Sequence, residues 1–100
     1  MKYSHNYSKL EKKEYTTIRR YSKGKEGEII MEDYPNGNHF AKIMKVERRS
    51  LEQISTDFLM KDTDCKTRME AIDLIQSFYK VPIDEKEKLY IYYLRRAWVR

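Results

Sequence analysis

The chain has 100 residues, 40% of them hydrophobic and 37% charged, with a net charge of +5. That length suits one domain built on one core and is too short for two, and an aromatic content of 13% sets the chain apart from disordered sequences. No apolar run approaches the roughly 20 residues of a membrane span, and the first residues, MKYSHNYSKL, lack the apolar centre of a signal peptide, so a cytoplasmic protein is expected.

Residues 1–10 are polar, with Tyr3 and Tyr7 as the large anchors, and read as an N-terminal arm that its tyrosines can dock; residues 11–100 read as a single domain. From Tyr15 to Arg20 the β-branched run Thr16, Thr17, Ile18 predicts a strand. Gly24 and Gly27 bracket a turn, and Glu28–Glu32 reads as a second strand. Tyr34-Pro35-Asn36-Gly37 carries the strongest hairpin signal, with proline where a turn begins and Asn-Gly following it. The returning strand, His39–Glu47, has apolar residues on both faces: Phe40, Met44 and Val46 on one, Ala41 and Ile43 on the other. That mixed pattern suits a small curved barrel.

Ser50 with Gln53 has capping-box spacing and opens a short helix with Leu51, Ile54 and Phe58 as its apolar stripe. Asp62-Thr63-Asp64 supplies cap residues for a second helix, approximately Cys65 to Tyr79, that buries Met69, Ile72, Ile75, Phe78 and Tyr79. Pro82 ends the helical region. Leu89–Val99 is rich in β-branched and aromatic residues and reads as a long last strand. The order β-β-β-α-α-β describes an α+β fold, a barrel-like sheet with a helical insertion.

The charge is carried by the two ends. Residues 1–25 hold eight Lys/Arg against two Glu, residues 26–94 hold ten basic against fourteen acidic residues, and residues 95–100 add Arg95, Arg96 and Arg100. If the ends meet in the fold they make one basic face on an acidic body, and such a face attracts polyanions. Lys23 and Lys25 flank Gly24 in a loop that is either a solvated turn or a site of phosphate attraction; it lacks the Lys-Ser/Thr step of a P-loop. Tyr90, Tyr92, Tyr93 and Trp98 alternate with arginines in the last strand. Most of them are expected in the core, with Tyr21 and Tyr93 as candidates for one exposed stacking ring.

His5 and His39 have no partner at metal-ligand spacing, and Cys65, the single cysteine, has none for a disulfide or a metal knuckle, so neither metal nor cofactor is expected. Asp62 and Asp64 read as helix caps.

Three segments in order resemble the ASCH domain of the PUA-like superfamily. TTIRRYSKGKEGE at residues 16–28 is similar to the family's threonine-x-arginine strand with its loop and Gly-acid step. AKIMKVERRSLEQI at 41–54 is similar to its barrel strand and short helix, and FLMKDTDCKTRMEAIDLIQSFY at 58–79 to its helical insert. The resemblance spans about residues 10–97. It implies a small PUA-like β-barrel of about five to six strands and a cleft where RNA or a nucleotide-like ligand sits against Thr17 and Arg19, with Glu28 at the acidic step. Arginine there offers a phosphate a bidentate fork, and threonine a hydroxyl.

ASCH amidohydrolases resemble a lysine-x-x-threonine-x-arginine pattern. Here Glu14 stands three residues before Thr17, with the lysines at Lys12 and Lys13. The leading expectation is therefore RNA binding without chemistry, by Thr17, Arg19, Arg20, Tyr21, Lys23, Lys25, Arg95 and Arg96. The alternative is a metal-independent ribonuclease or nucleoside amidohydrolase using Thr17 or Tyr21 with Lys13 and Glu28. A third is a regulatory adaptor whose helical insert contacts a protein partner.

Overall fold

β1 (Glu14–Arg19), β2 (Ile29–Tyr34) and β3 (Gly37–Arg49) precede two helices, α1 (Thr56–Thr63) and α2 (Arg68–Ser77), and β4 (Leu89–Ala97) follows them. This is a computed structural model describing residues 1–97; Trp98, Val99 and Arg100 lie outside the described residues, and with them the expected end of the last strand. The element order β-β-β-α-α-β is that expected from the sequence. The four strands form one antiparallel sheet in the order β1-β4-β3-β2. The C-terminal strand thus lies between the first strand and the hairpin.

The hairpin is as tight as Pro35 and Asn36 allow: Tyr34 pairs with Gly37, leaving those two residues as its loop. Its returning strand carries a bulge. Ile43 opposes Leu94 while Lys45 opposes the adjacent Tyr93, so Met44 is an extra residue, half exposed at the bend. The bulge corrects the simple alternation of this strand. Val46 packs with the cluster that holds Ala41 and Ile43, not on the opposite face, because one inserted residue reverses the side-chain phase.

The concave face of the sheet is packed along its length, and the convex face is covered at β1 and β4, leaving Ile29, Met31 and Met44 of the hairpin exposed. The concave face holds Tyr15, Ala41, Ile43, Tyr92 and Leu94, packed with Tyr3, Tyr7 and Leu10 from the N-terminal segment. The convex face carries Ile18, Leu89 and Ile91 against Leu51, Ile54, Leu59, Ala71 and Ile75 of the helical region.

Curling brings the two edge strands together across the concave side. The Tyr15 hydroxyl of β1 donates to Glu32 Oε1 of β2 at 2.9 Å, and Tyr3 donates to the same oxygen at 2.8 Å. Where five to six strands were expected, four form among the described residues; the N-terminal segment spans the gap. The Tyr3 N–H donates to the Asp33 carbonyl on β2 at 2.8 Å, and Arg19 Nη2 on β1 donates to the Lys2 carbonyl at 3.0 Å.

The helices start later than the sequence suggests. Ser50 and Gln53 make their capping contact, with the Ser50 N–H donating to Gln53 Oε1 at 3.1 Å, but they open only a single 3-10 turn, Leu51–Gln53. Ser55 caps α1, accepting from the Phe58 N–H, and Thr67 caps α2, accepting from the Glu70 N–H. Asp62 and Thr63 are therefore not caps: they are the buried last turn of α1. Asp64 ends that helix in the left-handed region at φ 59° and accepts from Ser8 through both carboxylate oxygens, tying the N-terminal segment to α1. No helix of the described residues is long and apolar enough to cross a membrane.

Candidate functional site

Among the described residues β1 is an edge strand, paired with β4 alone. Along its free edge the N-terminal segment, lying on one face of the sheet, meets the helices on the other, and a cleft of about 340 Å³ remains between them. One wall is Tyr3, Tyr7 and Lys9; the opposite wall is Asp62 with Phe78 and Tyr79 beyond α2; the floor is Thr17, Ile18 and Arg19. That volume falls at the small end of ligand sites.

Strand alternation puts Thr17 and Arg19 on the same face. Arg19 Nε donates to Thr17 Oγ1 at 3.3 Å, its Nη2 holds the Lys2 carbonyl, and its guanidinium lies 4.7 Å from the centre of the Tyr3 ring. Two of its five N–H groups are thereby used. The fork is held in place by three contacts and retains donors for an anion.

Lys9 and Asp62 are the residues that pattern reading passes over. Lys9 Nζ lies 3.1 Å from Asp62 Oδ1 with both side chains buried, between the rings of Tyr3 at 5.5 Å and Tyr7 at 5.3 Å. Thr16 Oγ1 donates to the same carboxylate oxygen at 2.8 Å. Burial pushes the Lys9 ammonium below the ordinary lysine range, and Asp62 works against that fall. The available sequence signal is the spacing Leu59, Asp62, Thr63, which puts Asp62 on the buried face of α1. For Lys9, beside a polar arm, no local pattern distinguishes burial from exposure.

The other expected site residues lie elsewhere. Arg20 points to the convex face, where Nε and Nη2 grip Glu87 at 2.8 and 2.9 Å and Nη1 donates to the Val81 carbonyl; it fastens β1 to the segment after α2 and does not line the cleft. Tyr21 is 60% exposed and stands edge-on to Tyr79, at the rim. Lys23 and Lys25 are exposed in the loop after β1, which is anchored where the Lys23 N–H donates to the Tyr92 hydroxyl at 2.6 Å. Tyr93 is half buried against Phe58.

Among the described residues the basic segments of β4 and the N-terminal region do come together, though not around Arg19. Arg95 pairs with Glu14 across the β1–β4 ladder, its Nη2 2.7 Å from Glu14 Oε1. Glu14 and Arg19 are five positions apart on β1, about 16 Å at strand rise. Arg96 is turned inward, its Nη2 donating to the Leu10 carbonyl at 2.8 Å. Arg95 and Arg96 are thus at the far end of the strand and do not extend the cleft. Lys13 and Glu28 are exposed and also lie outside it. Among the described residues no three His, Cys, Asp or Glu side chains gather to hold a metal ion.

No family model matches the chain, and no solved structure matches it. It is 35% identical over 102 aligned positions to the uncharacterized protein MJ0364 of Methanocaldococcus jannaschii, an alignment covering 90% of each chain. The chain belongs to the same family as that protein.

Proposed function

We propose that this is a cytoplasmic RNA-binding protein of the PUA-like, ASCH type that takes one nucleotide unit into the cleft at the free edge of β1. The observation that carries the reading is the pairing, in one cleft of nucleotide size, of a pre-positioned arginine fork with aromatic rings on both walls. A phosphate takes the free donors of Arg19 and is drawn by Lys2 at the cleft mouth, and a base lies between Tyr3 or Tyr7 on one side and Phe78 or Tyr79 on the other. Lys23 and Lys25 in the adjoining loop add attraction for neighbouring phosphates without fixed geometry. Fluorescence anisotropy of labelled single-stranded RNA, duplex RNA and DNA across a salt series tests this. Preference for single-stranded RNA, weakening as salt rises, is expected; no binding at low salt, or equal weak binding to all three, overturns it.

One observation favours a second reading, hydrolysis of a modified nucleoside. Lys9, with its depressed ammonium pKa, stands in the same cleft as Thr17 and fills the need for a buried lysine that Glu14 leaves open in the lysine-x-x-threonine-x-arginine pattern. In that reading Thr17 is the nucleophile and Lys9, not Lys13, assists it. Incubation with acylated cytidine in the presence of chelator, with Thr17→Ala alongside, decides it: turnover lost in the variant supports hydrolysis, and absence of turnover in the parent protein rejects it.

A further inference from the structure

The floor of the cleft is backbone as well as side chain. In an antiparallel ladder, the N–H and C=O of successive residues point alternately toward the paired strand and away from it. Two contacts fix the phase in β1. The Arg96 N–H donates to the Lys13 carbonyl at 2.8 Å, so Lys13, and with it Tyr15, Thr17 and Arg19, faces β4. The Arg20 N–H donates to the Tyr79 hydroxyl at 2.9 Å, so Arg20, and with it Ile18 and Thr16, faces the free edge. Ile18 is the residue of this set that lines the cleft while its side chain is committed to the convex core. Its N–H and C=O are directed at the cleft, and neither has a hydrogen-bond partner among the described residues. Ile18 itself is buried, and buried backbone polar groups are rarely left unpaired.

The edge is too short to take a strand. At one end the Tyr79 hydroxyl closes it at Arg20, and at the other Thr16 Oγ1 is bound to Asp62 of α1. Thr16 to Arg20 spans about 13 Å at strand rise, and of the residues facing the free edge Ile18 is the one that lines the cleft. An extended peptide adding to the sheet needs several such pairs in register. A single donor–acceptor pair between aromatic walls instead matches a planar ring that carries an acceptor and a donor on adjacent atoms.

We infer that the backbone N–H and C=O of Ile18 read the pairing edge of an unpaired nucleobase held in the cleft. This rests on the nucleotide reading above and sharpens it: the ring is recognised by the edge a complementary strand would use, so a base engaged in a duplex is refused. Because every base has a donor and an acceptor adjacent on that edge, the device selects for unpaired bases more strongly than for one base over another. The phosphate at Arg19, on the neighbouring strand position, sets the register of the ring against Ile18.

The test uses uridine 5′-monophosphate, its 3-methyl derivative, which loses the pairing donor and gains bulk there, and its 5-methyl derivative, which keeps that edge intact. Binding to the full chain is followed by amide chemical shifts. We expect the parent and 5-methyl nucleotides to move the Ile18 and Arg19 amides with similar affinity, and the 3-methyl nucleotide to bind about tenfold or more weakly, as when a site's polar groups lose their partner. Equal affinity for all three, with shifts still centred on Thr17 and Arg19, overturns the edge reading and leaves the cleft as a nucleotide site. No shift in any cleft residue with any of the three overturns both.

Discussion

Tyr15 and Glu32 belong to the two edge strands of the sheet, yet the Tyr15 hydroxyl donates to Glu32 Oε1 at 2.9 Å. Contact between opposite edges measures how far the sheet has curled, and it gives the concave core a polar centre. Tyr3 donates to the same oxygen, while the Tyr15 oxygen also lies 2.6 Å from His39 Nε2 and the Tyr34 hydroxyl 3.1 Å from His39 Nδ1. With the Tyr15 proton given to Glu32, His39 Nε2 donates to Tyr15, and a neutral ring then accepts from the Tyr34 hydroxyl at Nδ1.

Glu32 is fully buried, and hydrogen bonds to a buried carboxylate are worth more than neutral ones. Glu32→Ala leaves the Tyr3 and Tyr15 hydroxyls without an acceptor and is expected to cost about 3 kcal/mol. Glu32→Gln, which keeps an acceptor oxygen, should cost less. Urea denaturation of both variants checks the order; equal and small losses would mean that the edges are held by the apolar core alone.

His39 gives a pH dependence. Burial lowers its pKa below the usual histidine value, and the nearby Arg96 charge lowers it further against the opposing pull of Glu32. A ring that resists protonation when folded takes up its proton more readily when unfolded, so stability rises with pH across this window. The contribution is complete above the ordinary histidine pKa of about 6.5 and is lost as pH falls through the lower, folded value. Thermal melts between pH 8 and pH 5 should show a fall that His39→Gln reduces. An identical profile in the variant would remove His39 as the cause.

The Lys9–Asp62 pair should behave as buried ion pairs do. Asp62→Ala strands a buried ammonium and frees Thr16 Oγ1, and is expected to cost about 3 to 4 kcal/mol. Replacing both partners, with Lys9→Met and Asp62→Leu, removes the stranded charge and should recover most of that loss. Chemical denaturation of the single and double variants measures the coupling; additive losses would show that the two groups act independently.

Gly24 has φ +151°, and a Cβ there would lie 2.8 Å from Ile43 Cδ1 and 3.2 Å from Glu28 Oε2. Gly24→Ala is therefore expected to cost about 1 to 3 kcal/mol, from backbone strain and overpacking together. A melting temperature unchanged from the parent would show that the loop yields freely, and that Lys23 and Lys25 are not held in place by it.

The sequence pattern reached the fold further than it reached the site. β-branched runs, the Pro-Asn-Gly hairpin and the break at Pro82 are local signals, and they located the strands and helical region to within a few residues. The bulge at Met44 has no such signal, because it depends on how β3 meets β4, and it moved Val46 to the other face. Alternation placed Thr17 and Arg19 on one face, and the resemblance singled them out. Lys9, Asp62 and the free edge at Ile18 were not legible in this way. They require the N-terminal segment, α1 and β1 to converge, and convergence over 46 to 53 positions of sequence is a property of tertiary packing. Arg95 and Arg96 lie outside the cleft for the matching reason: antiparallel pairing brings β4 beside β1 but sets Arg95 against Glu14, a strand length from Arg19.

The measurement that tests the nucleotide cleft most directly is the affinity of a short single-stranded RNA for the parent protein, Arg19→Ala and Arg95→Ala at two salt concentrations. Loss of the cleft fork should weaken binding about tenfold or more and reduce the salt dependence by about one phosphate contact, while Arg95→Ala, at the far end of β1, should leave both nearly unchanged. Equal losses in the two variants, or a loss confined to Arg95→Ala, would contradict the cleft and place the RNA on the opposite end of the sheet.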